Sequence, residues 1–335
     1  RDVERSRGLG DVYKRQVSSG RGGAADACDL PGSDLGLDAP GERMSAAETE
    51  MRDSSTGKTP PQSAVGIQER VAIAEGHDGY GEAPPYHPAV RHPEYPFCVL
   101  APRENPAYEG VREALKLLGL DAARFGTKRW NPLGDLIKPG QTVVVKPNFI
   151  RHFRETQAGD GQCLITHGSI IRAAVDYVFL ALDGRGRIII ADAPQNDADF
   201  EQIRRMAGLD EIQELYRREA GFAIEVYDLR PEAAEKVDGV IVGHKRLSGD
   251  PAGYVTVDLG RQSAFAEIEH LCHLLYGSEY DKQELRHHHR DGRHEYLISR
   301  TILDADCVIN LPKLKTHKKT GFTACKKNLV GINGN

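Results

Sequence analysis

The sequence lacks the motifs that identify several large enzyme classes. Its folded region contains no G-x-G-x-x-G, no G-x-x-x-x-G-K-[ST] and no G-x-S-x-G, so the usual signatures of dinucleotide oxidoreductases, P-loop enzymes and α/β-hydrolases are missing. No apolar run approaches about 18 residues, and we expect no transmembrane helix. The six cysteines form no Cys-x-x-Cys pair, which argues against a disulfide framework or a zinc or iron–sulfur ligand set, and a reducing cytoplasm is the expected compartment.

An excess of basic charge is also missing. The 335 residues include 44 Lys plus Arg against 49 Asp plus Glu, for a formal net charge of −5. Proteins that coat nucleic acids usually have a strongly basic balance. We therefore expect neither a nucleic acid nor a membrane as the partner, and the composition says nothing about oligomeric state.

Both ends of the chain are unusual. Residues 1–16 resemble a translated sequencing-adaptor scar of the kind that recurs in metagenomic gene models, and they lack the apolar region of a signal peptide. Residues 17–66 are rich in Gly, Ser, Ala, Asp and Pro, a composition that predicts disorder. The chain stops directly after NLVGINGN, in the middle of a motif. We expect a fragment that is truncated at its C-terminus.

Residues 67–335 have the rhythm of an α/β domain. The apolar runs QTVVVK (141–146) and RIIIAD (187–192) are typical of strands that are covered on both faces, and CVINL (307–311) is another apolar strand. A helix between the first two of these, with Ser169 as its predicted cap, gives a βαβ unit. The predicted fold is an open, mostly parallel sheet flanked by helices. Further predicted elements are strands at 70–75, 222–227 and 239–242, a helix that starts after Asn105, and an amphipathic helix at 264–276.

Polar side chains follow three of the predicted strands. In open parallel sheets, ligands bind outside the carboxyl ends of the strands. If the three strands are parallel neighbours, one rim collects the side chains of Lys146, Asn148, Asp192, Lys313, Lys315 and His317.

The stretch KLKTHKKTGFTACKK (313–327) contains six lysines and no acidic residue. In an acidic chain this is a local positive field that attracts phosphate, carboxylate or a polyanion. Backbone N–H groups near Thr320 are predicted to face an anion. A solvated lysine-rich loop and a nucleic-acid contact are alternatives, although only Phe322 supplies an aromatic ring for the latter.

A histidine-rich insertion is predicted at about 244–299. It includes EIEHLCH (267–273) and RHHHRDGRHEY (286–296), and we consider His288, His289 and His294 as ligands of a divalent metal. The spacing matches no standard zinc signature, and a solvent-facing loop is the alternative reading.

Several of these segments together resemble a known family. VVVKPNFI (143–150), ITHGSIIRAAVDY (165–177), IIIADAP (188–194) and DADCVINLPKLKTHKKTGFTACKKNLVGING (304–334) are similar to the domain of unknown function 362. The resemblance runs from about Arg70 to the end of the chain. One departure is Lys326, where relatives tend to have an apolar residue.

The resemblance implies a site but no reaction. Some members of the family carry ferredoxin-like cysteine clusters, whereas the cysteines here indicate no iron–sulfur cluster. The motif positions carried over are Lys146, Pro147, Asn148, His167, Asp192, Lys313, Lys315, His317, Thr320, Lys327 and Asn328.

These observations predict an enzyme that binds an anionic small molecule carrying phosphate or carboxylate at the strand rim. His317 or His167 would act as general acid or base, with Asp192 as its partner, and the ligand-binding residues would be Lys146, Asn148, Lys313, Lys315, Thr320, Lys327 and Asn328. The alternatives are a metal or iron–sulfur-associated redox module and a non-catalytic binding protein.

Overall fold

A parallel four-stranded sheet forms the centre of the fold. The computed structural model describes residues 70–153, 161–237, 240–275, 282–317 and 320–334. The sheet consists of β1 (Thr142–Pro147), β2 (Arg187–Asp192), β3 (Ile224–Asp228) and β9 (Cys307–Leu311), in the order β3-β2-β1-β9. All three neighbouring pairs are parallel, and in register Val144 lies opposite Ile189 on one side and Val308 on the other. The predicted α/β class is confirmed.

Alternation along the strands divides their side chains between two apolar layers. Val143 and Val145 pack on one face, in the main core, beneath α2 (Gly168–Leu182). The same core includes residues of α1, α3 and α4, which span Pro106–Leu117, Phe200–Ala207 and Leu209–Ala220. On the other face, Val144 belongs to a smaller cluster with Ile302. β1 and β2 are thus covered on both faces, as their continuous apolar runs predict, whereas Val308 of the edge strand β9 is exposed.

Antiparallel elements fill the chain between β3 and β9. A hairpin pairs β4 (Glu232–Val237) with β5 (Val240–Arg246). A three-stranded sheet in the order β6-β8-β7 follows, formed by Tyr254–Asp258, Arg293–Ser299 and His289–Arg290. The short helices α5 (Lys282–His287) and α6 (Arg300–Leu303) precede β7 and β9. After β9 come the hairpin β10 (Lys315–His317) and β11 (Gly321–Thr323), then α7 (Cys325–Asn328).

Three sequence predictions are corrected by the structure. Residues 70–75 form no strand, because no described neighbour pairs with them and Val71 and Ile73 lie in solvent. Residues Ala264–Leu274 form a 3-10 segment that is interrupted at Ile268. The cap of α2 is His167, whose side chain accepts a hydrogen bond from the Ser169 N–H group. The predictions for residues 1–66 fall on residues outside the described ranges.

Candidate functional site at the strand rim

The strand order places a topological switch point between β1 and β9. From β1 the chain proceeds to β2 and β3 on one side, whereas β9 lies on the other side. Such switch points leave a crevice at the carboxyl ends of the strands, where ligands of open α/β sheets bind. Thr166 connects the ends of β1 and β9, because its hydroxyl accepts a hydrogen bond from the Asn148 N–H group (2.9 Å) and donates one to the Leu311 carbonyl (2.6 Å). The structure therefore brings the ends of β1 and β9 together as predicted.

A buried ion pair lies beneath the rim. Lys146 Nζ is 2.6 Å from Asp192 Oδ1, and neither side chain is more than 4% exposed. Asp192 Oδ2 accepts from the Phe149 N–H at 2.7 Å. Burial raises the pKa of the Asp192 carboxyl, while Lys146 and the backbone N–H groups oppose that rise. This pair ties the end of β1 to the end of β2.

The segment after α7 closes over the ion pair. The Ala193 N–H donates to the Gly331 carbonyl at 2.9 Å. A Cβ atom on Gly331 would lie 2.0 Å from Asp192 Oδ1 and 2.9 Å from Lys146 Nζ, so only glycine permits this approach. Lys146 and Asp192 therefore form the floor of the site.

Lys315 reaches into the switch point from β10. Its ammonium donates to the Leu164 carbonyl and, at 3.4 Å, to Asn148 Oδ1. Desolvation, followed by the positive charge of Lys313, lowers the pKa of Lys315 to about 8; Lys327 lowers it further, and the Asp192 carboxylate and Cys163 oppose the change. The hydrogen-bond acceptors of this amine are thus neutral groups.

Lys313 contacts an aromatic stack next to Lys315. Its Nζ donates to the Tyr80 hydroxyl at 2.6 Å, and the Tyr80 ring stacks on the His167 imidazole with centroids 4.0 Å apart. The loop that carries Tyr80 is anchored by a hydrogen bond from the Gly81 N–H to the Ser169 hydroxyl at 2.9 Å. Sequence reasoning missed Tyr80, and its surroundings of glycine and acidic residues gave no signal for this contact.

His167 is a buried, neutral imidazole. Its Nδ1 accepts from the Ser169 N–H at 3.1 Å and so caps α2. Desolvation, followed by the charge of Lys313, lowers the pKa of His167 to about 4. Near neutral pH this side chain carries no charge, and a catalytic role for it stays a prediction.

A cavity of about 320 Å³ opens on the β2–β3 side of the rim. His317 and Lys327 line it together with Gln195 and Arg230, which follow β2 and β3. Arg230 donates to the carbonyls of Gln195 and Ala198, each at 2.9 Å, and pairs with Asp228 at 2.7 Å, so this guanidinium shapes the wall. Sequence reasoning missed Arg230, although it lies only three residues after the predicted strand at 222–227.

The other predicted residues position the rim. Asn328 is buried, and its amide donates to Asn310 Oδ1 at 2.7 Å and to the carbonyls of Lys146 and Pro147 at 3.3 Å. The Thr320 N–H donates to His317 Nδ1 at 3.2 Å, which fixes that ring, while the Thr320 side chain lies in solvent. Ligand contacts by Asn328 and Thr320 stay predictions.

Comparison with known proteins finds a family match for the C-terminal part of the chain. Residues 232–335 match the model of a family described as a domain of unknown function (DUF362). These residues are a DUF362 domain. The match covers β4 to β11 and includes Lys313, Lys315 and Lys327, whereas the resemblance of β1 to β3 lies outside the matched range. Searches of curated proteins and of solved structures each gave no match.

The histidine-rich part of the DUF362 domain does not assemble a three-ligand metal group among the described residues. His289 and His294 are cross-strand partners whose ring centroids are 5.7 Å apart. His288 turns away and contacts Glu295 at 2.7 Å. Both nitrogens of His294 and Nδ1 of His289 are buried without a hydrogen-bond partner. Two imidazoles therefore meet here, and metal binding by the three histidines stays a prediction.

No helix within the described residues is both long enough and apolar enough to span a bilayer. The described cysteines, in the DUF362 domain and before it, are all free thiols at positions 98, 163, 272, 307 and 325.

Proposed function

We propose that the chain is an enzyme that binds an anionic small molecule, carrying phosphate or carboxylate, at the carboxyl rim of its parallel sheet. The observation that carries the proposal is the clustering of Lys313, Lys315 and Lys327 at the strand rim, where Lys313 contacts Tyr80, Lys315 contacts Asn148, and Lys327 lines the neighbouring cavity. Among the described residues, none of these three lysines has a carboxylate within ion-pair distance. Ammonium groups without a protein counter-ion favour an external anion.

The proposed roles follow from the position of each side chain. Lys315 and Lys313 bind the anion on the side of β9, and Lys327 binds it from the cavity that His317 also lines. His317 is the proposed acid–base group, because Thr320 holds its Nδ1 and orients the ring. Lys146 and Asp192 support the floor, and Asn148 positions the Lys315 amine.

Adjacent lysines provide a matched test of binding. Lys327 lines the cavity and is half-buried, whereas Lys326 is exposed. Isothermal titration with inorganic pyrophosphate and with oxalate would compare the wild type, Lys327→Met and Lys326→Met. A charge-assisted hydrogen bond contributes about 1.5–3 kcal/mol, so Lys327→Met should weaken binding about 10- to 150-fold. Lys326→Met should bind as the wild type does.

The binding experiment has two results that would refute the proposal. One is the absence of saturable binding of either anion to the wild type at low ionic strength. The other is an equal loss of affinity in Lys326→Met and Lys327→Met, which would reflect net charge alone. Thermal unfolding without anion checks that each variant is folded.

Catalysis is tested separately from binding. A mixture of phosphorylated and carboxylated metabolites would be incubated with wild type and with His317→Gln, and the consumed compounds identified by mass spectrometry. We expect the wild type to convert a compound that His317→Gln retains without conversion. Retention without conversion by both proteins would support the non-catalytic alternative and would contradict the acid–base role of His317.

A further inference from the structure

The environment of Lys315 differs from that of the other buried lysine at the rim. Lys146 Nζ is 2.6 Å from the Asp192 carboxylate, which compensates its charge. Lys315 has only the Leu164 carbonyl and the Asn148 side-chain oxygen as described acceptors. Burying an ammonium without a carboxylate disfavours its charged form. The contrast indicates a structural role for Lys146 and a chemical role, as a neutral amine, for Lys315.

A neutral primary amine has two N–H groups and can therefore donate hydrogen bonds to two acceptors. With one N–H group directed to Leu164 and the other to Asn148, the remaining position on Nζ is the lone pair. The charges of Lys313 and Lys327 lower the pKa of Lys315, whereas the Asp192 carboxylate and Cys163 raise it, and desolvation is the largest cause of the net lowering. A cationic neighbour and partial desolvation are the two means by which proteins activate a lysine as a nucleophile.

We propose that Lys315 is a nucleophile that forms an imine with the carbonyl carbon of an anionic aldehyde or 2-oxo acid. This inference rests on the proposed anion site and specifies its substrate class. The neutral amine attacks the carbonyl carbon and gives a carbinolamine. Both amine hydrogens then leave with the carbonyl oxygen as water, and a C=N bond replaces the C=O bond. Lys313 and Lys327 bind the anionic group that accompanies the carbonyl, and Lys315, whose ammonium form is a ligand of the anion in the proposed function, attacks in its neutral form.

The amount of neutral amine gives the expected rate advantage. The lowered pKa of Lys315, about 8, leaves roughly a quarter of it neutral at pH 7.5. A solvent-exposed lysine with an ordinary pKa of about 10.4 is neutral in roughly one molecule in a thousand. From the neutral fractions alone, Lys315 should therefore react with a carbonyl probe roughly 100-fold faster than such a lysine does.

Reductive trapping with glyoxylate tests the proposal on the full chain. Sodium cyanoborohydride converts the imine to a stable secondary amine, and peptide mass spectrometry locates the modified lysine. We expect early modification of Lys315, a rate that rises with an apparent pKa near 8, and loss of this modification in Lys315→Arg. Lys313→Met should shift the rate profile to higher pH, which a merely structural lysine would not show.

Competing anions separate this inference from the proposed function. Modification of Lys315 that is rapid and slowed by pyrophosphate supports both. Rapid modification that pyrophosphate does not slow supports the nucleophile but contradicts the anion site. If pyrophosphate binds and Lys315 is modified no faster than Lys326, the nucleophile is refuted while the anion site stands. Acetaldehyde, which lacks an anionic group, should modify Lys315 more slowly than glyoxylate does.

Discussion

Replacement of Gly331 by alanine should destabilise the protein without changing any charge. The backbone of Gly331 has φ −76°, so alanine meets no conformational strain there. The added Cβ would lie 2.0 Å from Asp192 Oδ1, far inside van der Waals contact, and 2.9 Å from Lys146 Nζ. The segment must therefore move away from the ion pair.

The expected cost combines two effects. Overpacking a buried contact costs about 1–3 kcal/mol. Displacement of the segment also stretches the hydrogen bond from the Ala193 N–H to the Gly331 carbonyl, which contributes about 1 kcal/mol. We expect Gly331→Ala to lower the free energy of unfolding by about 2–4 kcal/mol.

Urea unfolding would measure this cost. The single tryptophan, Trp130, is buried, and its fluorescence reports unfolding of the main core. Gly243→Ala is the control, because its Cβ would meet only the end of the Glu235 side chain at 3.5 Å. The control should stay within about 0.5 kcal/mol of the wild type. Equal stability of Gly331→Ala and Gly243→Ala would refute the close approach of Gly331 to the ion pair.

Three further predictions concern the rim. Lys146→Met leaves the Asp192 carboxylate buried without its partner and should cost about 3–5 kcal/mol in urea unfolding. The double variant Lys146→Met/Asp192→Leu should be less destabilised, and a greater loss in the double variant would contradict this account. His167 has a folded pKa of about 4, below its ordinary value, so the unfolded chain binds more protons at acidic pH. The contribution of His167 to stability is full above pH 6.5 and falls by about 3 kcal/mol as the pH decreases to 4. The variant His167→Asn keeps a capping acceptor but cannot be protonated in this range. Its free energy of unfolding, measured between pH 7 and pH 4, should therefore depend less on pH than that of the wild type. Thr166→Val removes a hydrogen bond to Leu311 and one from Asn148, and should cost about 2–4 kcal/mol in thermal or urea unfolding; an unchanged stability would show that the bridge contributes nothing.

Continuous apolar runs made the centre of the fold predictable. β1 and β2 are buried on both faces, and such strands have a sequence pattern that differs from that of surface strands; the apolar run of β9 is similar, yet this edge strand leaves Val308 exposed. The same reasoning failed at residues 70–75, because a short β-branched run contains no information about whether a partner strand exists.

The sequence also contained a hairpin signal. Asp291 and Gly292, which form the turn between β7 and β8, both have positive φ, as such turns require.

The candidate site was predictable only in part. The polar residues at the ends of β1, β2 and β9 meet because parallel strands end at one edge of the sheet. The sequence could not show that Asp192 neutralises Lys146 whereas Lys315 has neutral acceptors, since that difference depends on which side chains become buried. Tyr80 joins the site through a loop distant in sequence from Lys313, and no local pattern predicts such a contact.

The edge position of β9 has a consequence for how the chain can be divided. Of the strands that the structure describes within residues 232–335, β9 alone belongs to the parallel sheet, and its hydrogen-bonding neighbour there is β1, more than 150 residues earlier. A polypeptide cut at the family boundary would present the backbone of CVINL without its neighbour, which is the kind of exposed strand that self-associates. Truncation studies should therefore keep β1 to β3, because the range recognised by sequence similarity leaves out the strand with which β9 pairs.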